Sequence, residues 1–211
     1  MIARPARVAF VAGTGTAIGK TWIASAVLAR LRAAGRRVSV RKPAQSFDEG
    51  EGPTDAEVLA TATGESLHDV CPAHRWYARA LAPPMAAAAL GAPPFTIADL
   101  VDELGWPDGV DVGLVEGAGG PRSPIAADGD NVTLACAVAP DLVVLVADAG
   151  LGTINAVRMS VEAFAPAPVA VVLNRYDDGD AVHRANRDWL TDRDDFEVVV
   201  GPDATAARIV P

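Results

Sequence analysis

Cysteine and histidine are scarce in this sequence. Its 211 residues hold 2 cysteines and 3 histidines. Cys71 and Cys136 form no CxxC or ligand-spaced cluster, which excludes a disulfide framework, a zinc ribbon and a thiol-exchange motif. His68, His74 and His183 fall at no ligand spacing and read as solvated or hydrogen-bonded structural groups. Basic charge is short as well. The 18 Lys plus Arg against 27 Asp plus Glu leave a net charge of -9, the wrong sign for neutralising a phosphate backbone, so no nucleic-acid partner is expected. Long hydrophobic runs are missing: nothing approaches the ~18 residues of a spanning helix, and Met1–Val11 reads as a short charged lead into a strand rather than a signal peptide. A soluble, cytoplasmic chain with no membrane partner is the expectation.

Apolar residues, by contrast, make up 50% of the chain, too much buriable surface for disorder and enough for one core. The length suits a single domain over residues 1–211. Arg7–Ala12 is a short apolar run that stops at Gly13. A Gly/Thr-rich loop follows, then Thr21–Ala34 with apolar residues at helical spacing and Gly35 at its end. Val38–Val40 halts at Pro43 and delivers Arg41 and Lys42 at a strand tip. Val110–Val115, Leu142–Ala147 and Val169–Leu173 repeat this grammar with continuous rather than alternating apolarity, the pattern of parallel strands covered on both faces. Helical stretches near Asp55–Thr63, Ala86–Leu90, Ile97–Leu104, Thr133–Val138, Ile154–Phe164 and Ala181–Leu190 separate them, and Phe196–Val200 reads as a final edge strand. The fold class is α/β with a mostly parallel central sheet and helices on both faces, and a Gly/Thr-rich loop ending in Gly19-Lys20-Thr21 between the first strand and the first helix makes it a P-loop NTPase-type domain.

The strongest chemical signal lies between the first strand and the first helix: Gly13, Thr14, Gly15, Thr16, Ala17, Ile18, Gly19, Lys20 and Thr21. Backbone N–H groups of such a loop and the helix N-terminus cradle phosphates. Lys20 would reach the β/γ-phosphates of a nucleotide and the Thr21 hydroxyl would ligate Mg²⁺. The spacing departs from the usual pattern, with Thr14 where glycine is expected. A second signal, Glu116-Gly117-Ala118-Gly119-Gly120, sits at the end of a buried strand, where α/β sheets place ligands and where an acid can serve a metal. Lys42 at its strand tip and Asp55 in Thr54-Asp55-Ala56-Glu57 stay open between roles in the site and ordinary surface or first-turn roles. Trp22 reads as helix packing rather than a stacking face.

Together these residues resemble the dethiobiotin synthetase family. The lengthened phosphate loop Gly13–Thr21, the pair Lys42-Pro43, the stretch Glu116–Gly120, the run Leu151-Gly152-Thr153-Ile154-Asn155 and the strand-ending Asn174 match in order from residue 8 to about 174. The resemblance implies ATP and Mg²⁺ as cofactors, and 7,8-diaminopelargonic acid with CO₂ as substrates, in a cyclo-ligase that works through a carbamate and its mixed anhydride with phosphate. It implies Lys20, Lys42 and Ser46 as catalytic or substrate-side groups, and Thr21, Asp55 and Glu116 as the metal set. The amides near Thr16 and Gly119 would take the carbamate. Asn174 and the segment Gly201-Pro202-Asp203 would form the base pocket. Gly152, Thr153 and Asn155 would receive the substrate carboxylate from a partner subunit, hence a homodimer. Departures fall at Gly15, Ala17, Phe47, Met85, Ala156 and Asn186. They motivate one alternative, a diverged paralogue acting on another carboxylate. A partition-type ATPase switch is a second alternative, though its signature lysine is here Gly15.

Overall fold

The apolar runs line up side by side in a computed structural model that describes residues 4–50 and 52–210. Six strands form the main sheet: β1 (Arg7–Gly13), β2 (Val38–Arg41), β3 (Val112–Glu116), β4 (Leu142–Asp148), β5 (Val169–Asn174) and β6 (Glu197–Val200). Their order is β6-β5-β4-β1-β3-β2, and every pairing is parallel. Around the sheet lie the helices α1 (Lys20–Ala33), α2 (Asp55–Thr63), α3 (Pro83–Ala89), α4 (Ile97–Asp102), α5 (Asn131–Val138), α6 (Thr153–Phe164), α7 (Ala181–Asp192) and α8 (Gly201–Ile209).

Neighbouring residues of a strand point to opposite faces, so each face carries its own core. Phe10, Val143, Leu145 and Val171 pack with Leu134, Val157, Phe164 and Leu190 on one side. Val11, Leu114, Val144 and Val172 pack with Ile23, Leu28, Leu59 and Ile209 on the other. Burial on both faces is why the strands read as continuous apolar runs.

The path of the chain sets the site. From β1 it runs to β2, returns to place β3 between them, and then crosses to β4 on the other side of β1. This reversal opens a crevice at the carboxyl ends of β1, β3 and β4. The sheet agrees with the sequence reading except that its six strands are wholly parallel. Several elements were not expected. Residues 201–209 form a helix with Pro202 in its first turn, a position that tolerates a missing N–H. The two-residue strands Gln45–Ser46 and Trp76–Tyr77 pair with each other beside β2. Helix α3 begins at Pro83, earlier than the expected Ala86, again with proline in its first turn.

Candidate active site

The phosphate loop is a left-handed detour between β1 and α1. Thr14 N–H donates to Val146 O at 2.9 Å, which extends the β1–β4 pairing before the chain turns away. Gly19 caps α1 at φ 91°, and a Cβ there would run into the Asn174 amide, so only glycine suits both the turn and the close approach. Asn174 closes the loop from the tip of β5, its Nδ2 donating to Ile18 O at 2.7 Å. Arg175 adds a second tie, donating to Ala17 O at 2.8 Å and to Asp148 Oδ2 at 3.2 Å.

Four charged groups meet beside this loop. Lys20 is the first residue of α1 and donates to Gly15 O at 3.0 Å. Lys42 follows β2 and is 1% exposed. Its Nζ lies 2.7 Å from Asp55 Oδ2, 2.7 Å from Glu116 Oε1 and 3.1 Å from Gly117 O, so all three of its protons have acceptors. Asp55 opens α2, whose capping box pairs the Thr54 hydroxyl with Glu57 N–H and the Glu57 carboxylate with Thr54 N–H. Glu116 ends β3 and is fully buried. These are the only two lysines in the chain; every other fixed cation is an arginine. An ammonium is a compact charge whose proton affinity responds to its surroundings, which guanidinium does not offer.

The electrostatics differ between the two lysines. Burial, reinforced by the nearby Lys42 charge, lowers the Lys20 pKa to about 8. Burial also opposes charge on Lys42, but Asp55 and Glu116 outweigh it and hold the ammonium protonated above the ordinary lysine range. The Lys42 charge lowers Asp55 to about 2. Burial raises the pKa of Glu116, with the Asp55 charge adding to the effect. Cys71 is buried and pushed up to about 12 by desolvation, an inert thiol.

The donor set suits a hard divalent cation. The Thr21 hydroxyl oxygen stands 2.7 Å from Asp55 Oδ1 and 2.8 Å from Glu116 Oε1, one proton facing two carboxylates. Glu116 Oε2 is buried and has no hydrogen-bond partner among the described residues. Three oxygen side chains of this kind, with water and phosphate completing the shell, are how Mg²⁺ is bound.

Two cavities flank Gly19. One, of about 700 Å³, is lined by Thr16, Lys20, Thr21, Lys42, Ser46 and Asp55, with Gly119 opposite. The other, of about 550 Å³, is lined by Trp22, Asn174, Arg175, Tyr176 and Gly201. Trp22 is 57% exposed at that wall, not packed into the core as the helical pattern suggested. Some sequence candidates stand elsewhere. The Asp203 carboxylate is held by Arg30 of α1 at 2.6 Å and lines neither cavity. Pro202 is buried in the first turn of α8 and lines neither cavity. Gly152, Thr153 and Asn155 lie at the start of α6 and also line neither.

Two of the departures, Phe47 and Asn186, have local explanations. The Phe47 ring packs edge-on against Trp76 at 6.0 Å and does not line the larger cavity. Asn186 is buried and donates to Ala149 O at 2.9 Å and Gly150 O at 2.8 Å, pinning the turn that leads to Gly152. Residues the sequence reading missed include Ser123, which lines the larger cavity and accepts from Gly120 N–H at 2.9 Å. Asn131 was missed too: it grips Ala118 and Gly120 by their carbonyls at 2.6 and 2.8 Å.

A family model described as an AAA domain matches residues 7–201. An ATP-dependent dethiobiotin synthetase of Anaeromyxobacter dehalogenans is 40% identical over 172 residues, covering 79% of this chain and 75% of its own. The chain belongs to the dethiobiotin synthetase family. A second ATP-dependent dethiobiotin synthetase, from Rhodococcus jostii, is 34% identical over 204 residues, 94% of this chain and 87% of its own. Among solved structures, a plasmid partition protein from Borrelia burgdorferi has a TM-score of 0.55 at 10% identity, covering 98% of this chain and 96% of its own. That likeness is one of fold alone. Partition-type chemistry would need a lysine at Gly15, whose carbonyl here accepts from Lys20.

Proposed function

We propose that this member of the dethiobiotin synthetase family closes the ureido ring of dethiobiotin from 7,8-diaminopelargonic acid, CO₂ and ATP. The convergence of Lys20, Lys42, Thr21, Asp55 and Glu116 at one cavity carries the reading. CO₂ adds to one substrate amine and the carbamate forms with loss of a proton. A carbamate oxygen attacks the γ-phosphorus, and ADP leaves. The second amine then attacks the carbamoyl carbon, a C–N bond forms, and phosphate departs with the oxygen that bridged it.

Negative charge builds on oxygen at each of these steps, so catalysis needs fixed positive charge and N–H dipoles more than a nucleophilic side chain. Lys20 would hold the β/γ-phosphates, with the amides of residues 13–19 beside it. Lys42 would meet the carbamate and the transferring phosphoryl group. Thr16, Ser46 and the amide of Gly119 would orient the substrate, keeping the two amines within reach of one carbon. Ser46 lines the cavity and donates to Leu81 O at 2.5 Å, which leaves its oxygen free to accept. Mg²⁺ held by Thr21, Asp55 and Glu116 would neutralise charge on the phosphate oxygens. Asn174, Trp22, Tyr176 and Gly201 would house the base, since a nucleotide anchored at Lys20 reaches their cavity past Gly19.

The homodimer, the cytoplasmic setting and the carboxylate role of Gly152, Thr153 and Asn155 belong to the same proposal; support for that role is an α6 N-terminus with a buried, unpartnered Thr153 hydroxyl among the described residues. The test is direct. Purified protein with ATP, Mg²⁺, bicarbonate and the diamine is expected to release ADP and phosphate and to yield dethiobiotin by mass spectrometry. Nucleotide binding without that product, under conditions where an established synthetase works, would favour the diverged paralogue.

A further inference from the structure

Gln45 is 2% exposed. It lies three residues beyond Lys42, on the short strand that pairs with Trp76–Tyr77. Its Oε1 accepts from the Ala56 N–H at 3.0 Å, which leaves no ambiguity about which end of the amide is the donor. Its Nε2 is buried and has no hydrogen-bond partner among the described residues. Leaving a buried donor unpaired carries a substantial cost, so a group retained in this state is matched to something that arrives. Gln45 lines the larger cavity together with Lys20, Lys42 and Asp55. It also lines a smaller one, about 240 Å³, formed with Ser46, Phe47, Asp48 and Thr54 and holding no phosphate-loop residue. The amide therefore stands where the substrate side meets the phosphate side.

We propose that Gln45 is a substrate-binding residue whose side-chain N–H donates to an oxygen of the carbamate. The inference rests on the ring-closing function given above. Among the groups that function brings into the cavity, an oxyanion is the natural acceptor. A substrate amine must keep its lone pair for attack, and the phosphate oxygens have Lys20 and the loop amides as donors, whereas the smaller cavity beside Gln45 holds no phosphate-loop residue. By holding the carbamate next to Lys42, Gln45 adds a neutral dipole where a third cation would overstabilise the ground state.

Two variants separate this role from a structural one. Gln45→Glu keeps the acceptor for Ala56 N–H and removes the donor; Gln45→Met removes both without adding charge. Each is assayed for kcat/KM with the diamine, for affinity toward a non-hydrolysable ATP analogue, and for thermal midpoint, with wild-type protein in parallel. A hydrogen bond to a charged group is worth ~10- to 150-fold, so both variants should lose that much in kcat/KM for the diamine. Gln45→Met should hold analogue affinity within about threefold, while Gln45→Glu, which adds a buried carboxyl beside Asp55, should lower the thermal midpoint as well. A Gln45→Glu enzyme with wild-type kcat/KM would overturn the proposal, because the structural contact alone would then account for the residue. A Gln45→Met enzyme whose analogue affinity drops as far as its kcat/KM would move the donor to the nucleotide and overturn it equally. Wild-type protein that makes no dethiobiotin would instead remove the parent function.

Discussion

Lys42 sits where its removal has a cost that can be worked out. Lys42→Ala leaves the Glu116 carboxylate fully buried without its cation and takes from Gly117 O its side-chain donor. Breaking one side of a buried ion pair costs ~3–5 kcal/mol, a large share of the ~5–15 kcal/mol that holds a domain together. For a chain of this size the thermal midpoint should fall by ~6–20 °C. The loss should also depend on pH. Burial already raises the pKa of Glu116 above its ordinary 4.5, and without Lys42 it would rise further. A carboxyl whose folded pKa exceeds its unfolded value contributes stability below the unfolded value and loses it as pH rises through the folded one. The deficit of Lys42→Ala should therefore be largest at neutral pH and above, and should shrink toward pH ~4.5–5. The double variant Lys42→Met/Glu116→Gln removes both charges at similar volume and should recover most of the stability while remaining inactive. Urea unfolding of wild type, Lys42→Met, Glu116→Gln and the double variant in chelator gives the coupling. A Lys42→Ala protein within about 1 kcal/mol of wild type at every pH, with no coupling to Glu116, would refute the buried-pair reasoning.

Further outcomes follow from the same geometry. With only two lysines in the chain, carbon-labelled lysine should give two side-chain resonances; one should titrate near pH 8, as burial makes Lys20 do, while the Lys42 signal stays protonated beyond it. Adding a nucleotide should push the Lys20 titration upward, because phosphate charge favours the ammonium. Gly19→Ala forces a side chain into the left-handed region and against the Asn174 amide. It should cost ~1–3 kcal/mol of stability by thermal unfolding and weaken nucleotide affinity by calorimetry. Trp22→Ala should weaken ATP binding by ~5- to 150-fold through lost base stacking and leave tripolyphosphate binding unchanged, both read by calorimetry.

Much of the fold and part of the site are legible in the sequence, for specific physical reasons. Parallel strands buried on both faces leave uninterrupted runs such as Leu142–Ala147, and glycine or a polar residue marks each tip. Since strand tips carry the chemistry in this fold, reading the strands already located Lys42 and Glu116. Asp55 became decidable only in three dimensions, because a first-turn acid looks the same whether or not a lysine 2.7 Å away engages it. Trp22, one residue beyond the phosphate loop, reads as helix packing but is 57% exposed. The buried face of α1 runs through Ile23, Val27, Leu28 and Leu31, and one residue is about 100° of rotation away from it. Gln45 and Asn131 had no local signal at all: a two-residue strand has no period, and the carbonyls that Asn131 grips lie 13 and 11 residues away. The helix at Gly201–Ile209 was hidden by its opening Gly-Pro, which reads as loop punctuation but is also a helix start.

The route of a single oxygen atom tests the central claim most directly. With bicarbonate enriched in heavy oxygen, ring closure should place one labelled oxygen in the released phosphate and leave one in the ureido carbonyl of dethiobiotin, because the carbamate oxygen that attacks phosphorus departs with it. Dethiobiotin formed alongside unlabelled phosphate would contradict the account, since the phosphoryl group would then have gone to water and not to the carbamate.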